Sequence, residues 1–90
     1  MELMNNPSPL QFPCDFPIKA MGHSAADFQS LVTAIVSRHA PDVDPNTLRV
    51  QASRHGRYQS VTLTIRARSR EQLDALYREL SGHERVLMAL

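Results

Sequence analysis

The order of hydrophobic periodicities constrains this chain most: a period of two, then 3.6, then two on either side of a tight turn, then 3.6, then two. At its centre Ser53, Arg54, His55, Gly56, Arg57 and Tyr58 read as a hairpin that runs into the alternating segment Gln59, Ser60, Val61, Thr62. The order is therefore strand, helix, strand, strand, helix, strand.

Residues 16–21 form the first expected strand, with Phe16, Ile18 and Ala20 on one face and Pro17, Lys19 and Met21 on the other. Pro17 has no amide donor, so regular pairing is expected only from Ile18. Ser24, with Asp27 three residues on, reads as the N-cap of a helix of about 16 residues. Phe28, Leu31, Val32, Ile35, Val36 and His39 make its apolar stripe, and Pro41 ends it by disfavouring helical geometry at Ala40. After a loop over 42–46, Leu48, Val50 and Ala52 alternate with Arg49, Gln51 and Ser53, the pattern of a half-buried strand. Gly56 supplies a positive φ at the turn. The third strand places Val61, Leu63, Ile65 and Ala67 on one face and Tyr58, Ser60, Thr62, Thr64, Arg66 and Arg68 on the other. Ser69 and Gln72 form a capping box for a second helix, whose stripe is Leu73, Leu76, Tyr77 and Leu80 and whose C′ residue is Gly82. Val86, Met88 and Leu90 form a last strand.

Two helices with one apolar stripe each, and a strand with one apolar and one polar face, fit an α+β fold: a ferredoxin-like βαββαβ unit, four antiparallel strands with both helices on one face. The first and third strands are expected at its centre, with right-handed crossovers. Residues 1–12, rich in Pro, Asn and Ser, are expected to be a flexible tail with Phe12 docked on the domain; 13–90 form that single domain.

Ninety residues bury about 60 to 65% of the unfolded surface and reach a stability on the order of 5 kcal/mol, which leaves little room for an enclosed pocket. A site is expected on the sheet face, in a loop or between subunits. A net charge of +1 gives no general attraction to nucleic acid or membrane. Cys14 is the only cysteine, so no intrachain disulfide forms, and neither a signal-peptide pattern nor an apolar span is present. A cytoplasmic protein is expected.

The leading candidate site is Gly22, His23, Ser24 and Ala25, where backbone amides at a helix start would hold an anion and His23 and Ser24 would act as adjustable donors. On that reading Gly22→Val removes binding but leaves the domain folded; the plainer reading is that Gly22 only solves a tight strand-to-helix turn. The hairpin residues Arg54, His55, Gly56 and Arg57 are a small basic cluster suited to a phosphate or carboxylate. The open sheet face offers an alternative, RNA binding through Tyr58, Arg66 and Arg68, although a single aromatic ring and the low net charge argue against nucleic acid. His23, His39, His55 and His83 have no metal-ligand spacing, Cys14 has no CxxC partner and no serine elbow is present, so no metal, cofactor or catalytic constellation is expected. Two open sheet edges, at 48–53 and 85–90, would let a second copy pair along an edge strand as a homodimer, while Arg49 and Arg85 blunt them and keep a monomer open.

Residues 12–90 resemble the YbeD-like family of small bacterial proteins. The resemblance rests on Phe12 and Pro13; on Lys19, Ala20, Met21 and Gly22; on Arg38, His39, Ala40 and Pro41; on Gly56, Tyr58, Ser60, Val61 and Thr62; and on Glu71, Gln72, Leu76, Tyr77 and Leu80. It implies the ferredoxin-like fold and a likeness to ACT regulatory domains, which bind small effectors near the first strand–helix loop, commonly at dimer interfaces. Gly22 matches the glycine of that loop. Genes of the family often lie near lipoate-attachment genes, which implies a link to lipoate metabolism. The family supplies no catalytic residue. Together these readings give a non-enzymatic regulatory or interaction module for a small anionic metabolite or a partner protein.

Overall fold

The computed structural model describes residues 10–90; for residues 1–9, the expected tail lies outside the described residues. The elements are β1 (Cys14–His23), α1 (Phe28–His39), a 3-10 turn (Pro45–Thr47), β2 (Arg49–Ala52), β3 (Tyr58–Ala67), α2 (Arg70–Gly82) and β4 (Met88–Ala89). The sheet order is β2-β3-β1-β4 with all neighbours antiparallel, the expected ferredoxin-like arrangement with β1 and β3 central. Ile18 and Ala20 of β1 and Val61, Leu63 and Ile65 of β3 meet Phe28, Val32, Ile35 and Val36 of α1 and Leu73, Leu76 and Leu80 of α2 in one core. Both helices therefore cover the same sheet face. Phe12 packs against the edge of this core.

Pairing between β1 and β3 runs unbroken from Cys14 opposite Ala67 to His23 opposite Tyr58, so Pro17 does not delay it. The reason lies in the direction of its nitrogen. Lys19 exchanges backbone hydrogen bonds with Leu90 on the β4 side, at 3.0 and 2.8 Å. Pro17, two residues earlier, turns its nitrogen to that same side, beyond the last pair, where no donor is required.

β2 was expected to be half buried, yet all four of its residues are exposed. Val50 lies opposite the fully buried Val61 and so faces the helix side, but it is 43% exposed. The helices pack over β3, β1 and β4. Alternation sets which way Val50 points, and the cover is missing at the sheet edge. β4 departs from its expected pattern too. Met88 pairs with Met21, which faces away from the helices, and Ala89 beside Ala20 is the inward residue. Val86 reaches the core because it ends a turn in which its amide donates to the His83 carbonyl at 3.0 Å. The expected face of Val86, Met88 and Leu90 is thereby split.

The second helix begins as read. The Ser69 hydroxyl accepts from the Gln72 amide at 3.1 Å, and Gln72 Oε1 accepts from the Arg68 amide at 2.6 Å. Gln72 Nε2 also donates to the His39 carbonyl at 2.9 Å, which ties the start of α2 to the end of α1. Gly82 is not a left-handed cap: it lies inside α2, and the chain leaves through His83 at φ −84 and ψ 130. The described residues contain no helix long and apolar enough to cross a membrane.

Candidate functional site

The end of the sheet where β1 leaves for α1 differs from the local reading of the sequence. β1 continues through Gly22 opposite Gln59 and His23 opposite Tyr58, and the Ser24 amide then donates to the Arg57 carbonyl at 2.9 Å. Ser24 is therefore the end of a sheet pairing and caps no helix. α1 starts four residues later, and Asp27 occupies its cap position without a side-chain cap bond. Its carboxylate is instead gripped by both terminal nitrogens of Arg85, at 2.9 and 2.7 Å. The Asp27 carboxylate is thus paired with Arg85 beside the start of α1.

Hydrogen bonding from Arg85 holds the Asp27 carboxyl below the ordinary aspartate value, and Asp27 raises Arg85 in return. Because the folded value is the lower one, the pair's contribution is complete above the unfolded aspartate value and is lost as pH falls through the folded value. In a carbon-detected titration Asp27 should titrate below the ordinary aspartate value, and Arg85→Ala should move it upward; an unmoved value in that variant would contradict the assignment. High salt should weaken the effect, since both groups are at the surface.

Gly22 is buried, and a Cβ there would lie 2.6 and 2.7 Å from Phe28 Cε1 and Cζ and still nearer the Arg85 carbonyl oxygen. Its φ is not positive, so no left-handed turn requires the glycine; it lets the ring of Phe28 and the loop before β4 close on the sheet. The expectation that Gly22→Val leaves the domain folded is overturned by this contact.

The basic hairpin lies directly beside the loop. Gly56 has φ +71 and donates to the Ser53 carbonyl at 2.9 Å, while the Ser53 amide donates to the Tyr58 carbonyl at 2.8 Å and the Ser53 hydroxyl accepts from the Tyr58 amide at 3.0 Å. Ser53, Arg54, His55, Arg57 and Tyr58 line an open depression of about 290 Å³. Arg57 joins it to Ser24 through the backbone, Gln59 Oε1 accepts from the Ala25 amide at 3.5 Å, and the His23 ring lies against Tyr58 with centroids 5.1 Å apart and 33° between planes. Two candidates that are far apart in sequence, residues 23–25 and 54–57, thus adjoin at Ser24 and Arg57. Among the described residues Arg54 and Arg57 have no acidic partner.

The residues of the RNA alternative do not converge. Tyr58 and Arg66 stand eight residues apart along β3, about 26 Å at strand rise. Arg66 is paired with Asp15 at 3.2 Å and Arg68 with Asp42. His39 faces Glu79 at 2.7 Å, and Glu79 is also paired with Arg38. No three His, Cys, Asp or Glu side chains cluster as metal ligands among the described residues. The reading from sequence missed the His23–Tyr58 ring pair and the Asp27–Arg85 pair. Matching hydrophobic faces could have suggested the first; nothing local points to the second.

Solved structures share this architecture. The ACT domain of a GTP pyrophosphokinase from Chlorobium tepidum superposes with a TM-score of 0.63 at 19% identity over 84% of each chain. A protein from H. pylori superposes with a TM-score of 0.73 at 10% identity, over 100% of this chain and 94% of that one. Both likenesses concern the fold. By sequence, a UPF0250 protein of Nitrosomonas europaea is 51% identical over 97% of this chain and all of that protein. A UPF0250 protein of Paraburkholderia phytofirmans is 44% identical over 94% of this chain and 96% of that protein. Residues 7–90 match the family described as protein of unknown function, DUF493. On these matches the chain belongs to the DUF493 family, the YbeD-like bacterial proteins that include the UPF0250 relatives.

Proposed function

We propose that this protein is a non-enzymatic regulatory module that reads a small anionic metabolite at the hairpin end of its sheet. The observation that carries this reading is the hydrogen bond from the Ser24 amide to the Arg57 carbonyl. It brings Ser24 beside Arg57, and the His23–Tyr58 ring contact brings the end of β1 next to the depression lined by Arg54, His55, Arg57 and Tyr58. Guanidinium forks suit carboxylate and phosphate oxygens, and the ring gives a flat apolar body a place to lie. The ACT-like fold supports effector binding at this end, and the lipoate link of the YbeD-like family adds lipoate-like acids to the candidate ligands.

Calorimetric titration with a pool of amino acids, lipoate-like acids and nucleotides tests the reading. Arg54→Ala and Arg57→Ala should each weaken the binding of an active member about tenfold, the usual scale for one charge-assisted contact. Equal affinity in both variants would overturn the site. If no member of the pool binds, the small-metabolite reading fails and a protein partner becomes the working alternative.

A further inference from the structure

We infer that a second site, on the sheet face opposite the helices, takes a small carboxylate that bears a neighbouring hydroxyl or keto oxygen. This inference does not depend on the hairpin reading. Gln51 of β2, Ser60 of β3 and Met21 of β1 lie in one cross-strand row, since Ser60 pairs with both of the others. On one side of this row stands Lys19, opposite Thr62, and on the other stands Tyr58, opposite His23. Lys19, Met21, Gln51, Ser53, Tyr58 and Ser60 contribute to the walls of a depression of about 160 Å³ centred on this row.

Ser60 is the second and decisive observation. It is 8% exposed, the one polar residue among the buried side chains. Its neighbours Val61 and Leu63 share the core-facing parity of β3, so Ser60 points to the opposite face, into the depression. Among the described residues its hydroxyl takes part in no hydrogen bond, whereas the hydroxyl of Ser53, also in the lining, is engaged by the Tyr58 amide. A buried hydroxyl without a partner is rare and calls for one. A ligand oxygen in the depression would satisfy it.

The remaining walls define the ligand. Lys19 brings an ammonium group with no acidic partner among the described residues. Gln51 brings an amide that both donates and accepts. No carboxylate lines the depression, so a ligand cation would have no counter-charge there. Met21 and Tyr58 supply apolar surface for a short carbon body. The volume is below the roughly 300 Å³ at which pockets for drug-sized ligands begin, which limits the ligand to a few heavy atoms. A carboxylate on Lys19 and a hydroxyl or keto oxygen on Ser60 and Gln51 match the charge and the hydrogen-bonding groups of these three walls.

The test is an amide NMR titration of the whole labelled protein with lactate, pyruvate and, as the uncharged counterpart, lactamide. Lactate or pyruvate should give saturable shifts centred on Lys19, Gln51 and Ser60, and lactamide should bind at least about tenfold more weakly. Lys19→Met should cost about tenfold in affinity and Ser60→Ala about three- to tenfold. The spectrum of each variant away from the site shows that it is folded. The inference is overturned if neither acid gives saturable shifts, if lactamide binds equally, or if Ser60→Ala leaves the affinity unchanged. Shifts confined to 23–25 and 54–57 would also overturn it, while supporting the hairpin site.

Discussion

Gly22→Ala should destabilise the domain by about 1–3 kcal/mol, and Gly22→Val should leave most of the protein unfolded. The added Cβ meets the Phe28 ring at 2.6 and 2.7 Å and, on its other side, the backbone carbonyl of Arg85. Neither neighbour is a flexible side-chain end. Phe28 is fully buried at the start of α1, and the Arg85 carbonyl belongs to the loop that leads the chain into β4. Relieving the clash means moving α1 or the approach to β4 off the sheet. The extra methyl groups of valine remove the option of a small shift. Against a total stability of roughly 5 kcal/mol for a domain of this size, the loss is decisive. Urea denaturation followed by circular dichroism measures it. A Gly22→Val protein with the wild-type midpoint would show that the sheet does not close on Phe28 as described.

The second large effect is expected from Phe28→Ala, which should cost about 3–5 kcal/mol. Phe28 is the largest of the fully buried side chains and the first residue of α1. It packs over β1 at Gly22, where the absence of a side chain makes room for its ring. Truncation removes the buried ring and leaves a cavity between α1 and the sheet, which the fixed ends of β1 and α1 prevent from collapsing. The two sites should also be coupled. In a Phe28→Leu background the ring atoms that meet the new Cβ are gone, so Gly22→Ala should cost measurably less than in the wild type. Additive losses in this double-mutant cycle would mean that the Arg85 carbonyl alone sets the penalty at Gly22.

Local sequence discloses some of these elements and hides others. β3 was legible because Val61, Leu63 and Ile65 alternate with polar residues and both faces of that strand are defined by neighbours on either side. Gly56 and the Ser69–Gln72 cap were legible because each depends on residues within a single turn. Ser24 misled for the opposite reason. Its sequence suits a cap, but Arg57 competes for its amide from a hairpin far along the chain, and the longer β1–β3 pairing prevails. Val50 and Val86 show the same limit in the core. Periodicity gives the direction of a side chain along a regular strand, whereas cover for Val50 depends on where the helices lie, and a turn breaks the period before Val86.

The candidate site follows this pattern. Its two halves were each visible as short motifs, the loop through His23, Ser24 and Ala25 and the hairpin through Arg54 and Arg57. That they adjoin is a consequence of the register that sets His23 opposite Tyr58, which no local pattern carries. The role of Gly22 was hidden for the same reason: a glycine between a strand and a helix looks like a turn residue until the atoms opposite its Cα are known.

The measurement that bears most directly on the hairpin site is an amide NMR titration with whichever acid or nucleotide of the calorimetric pool binds. Saturable shifts should appear together at 23–25 and 54–57, because the Ser24–Arg57 hydrogen bond joins them, and they should vanish in the Arg54→Ala, Arg57→Ala double variant while the spectrum elsewhere stays that of the folded domain. Shifts that map to the helices, or that persist unchanged in the double variant, would contradict the assignment of this end of the sheet as the anion site.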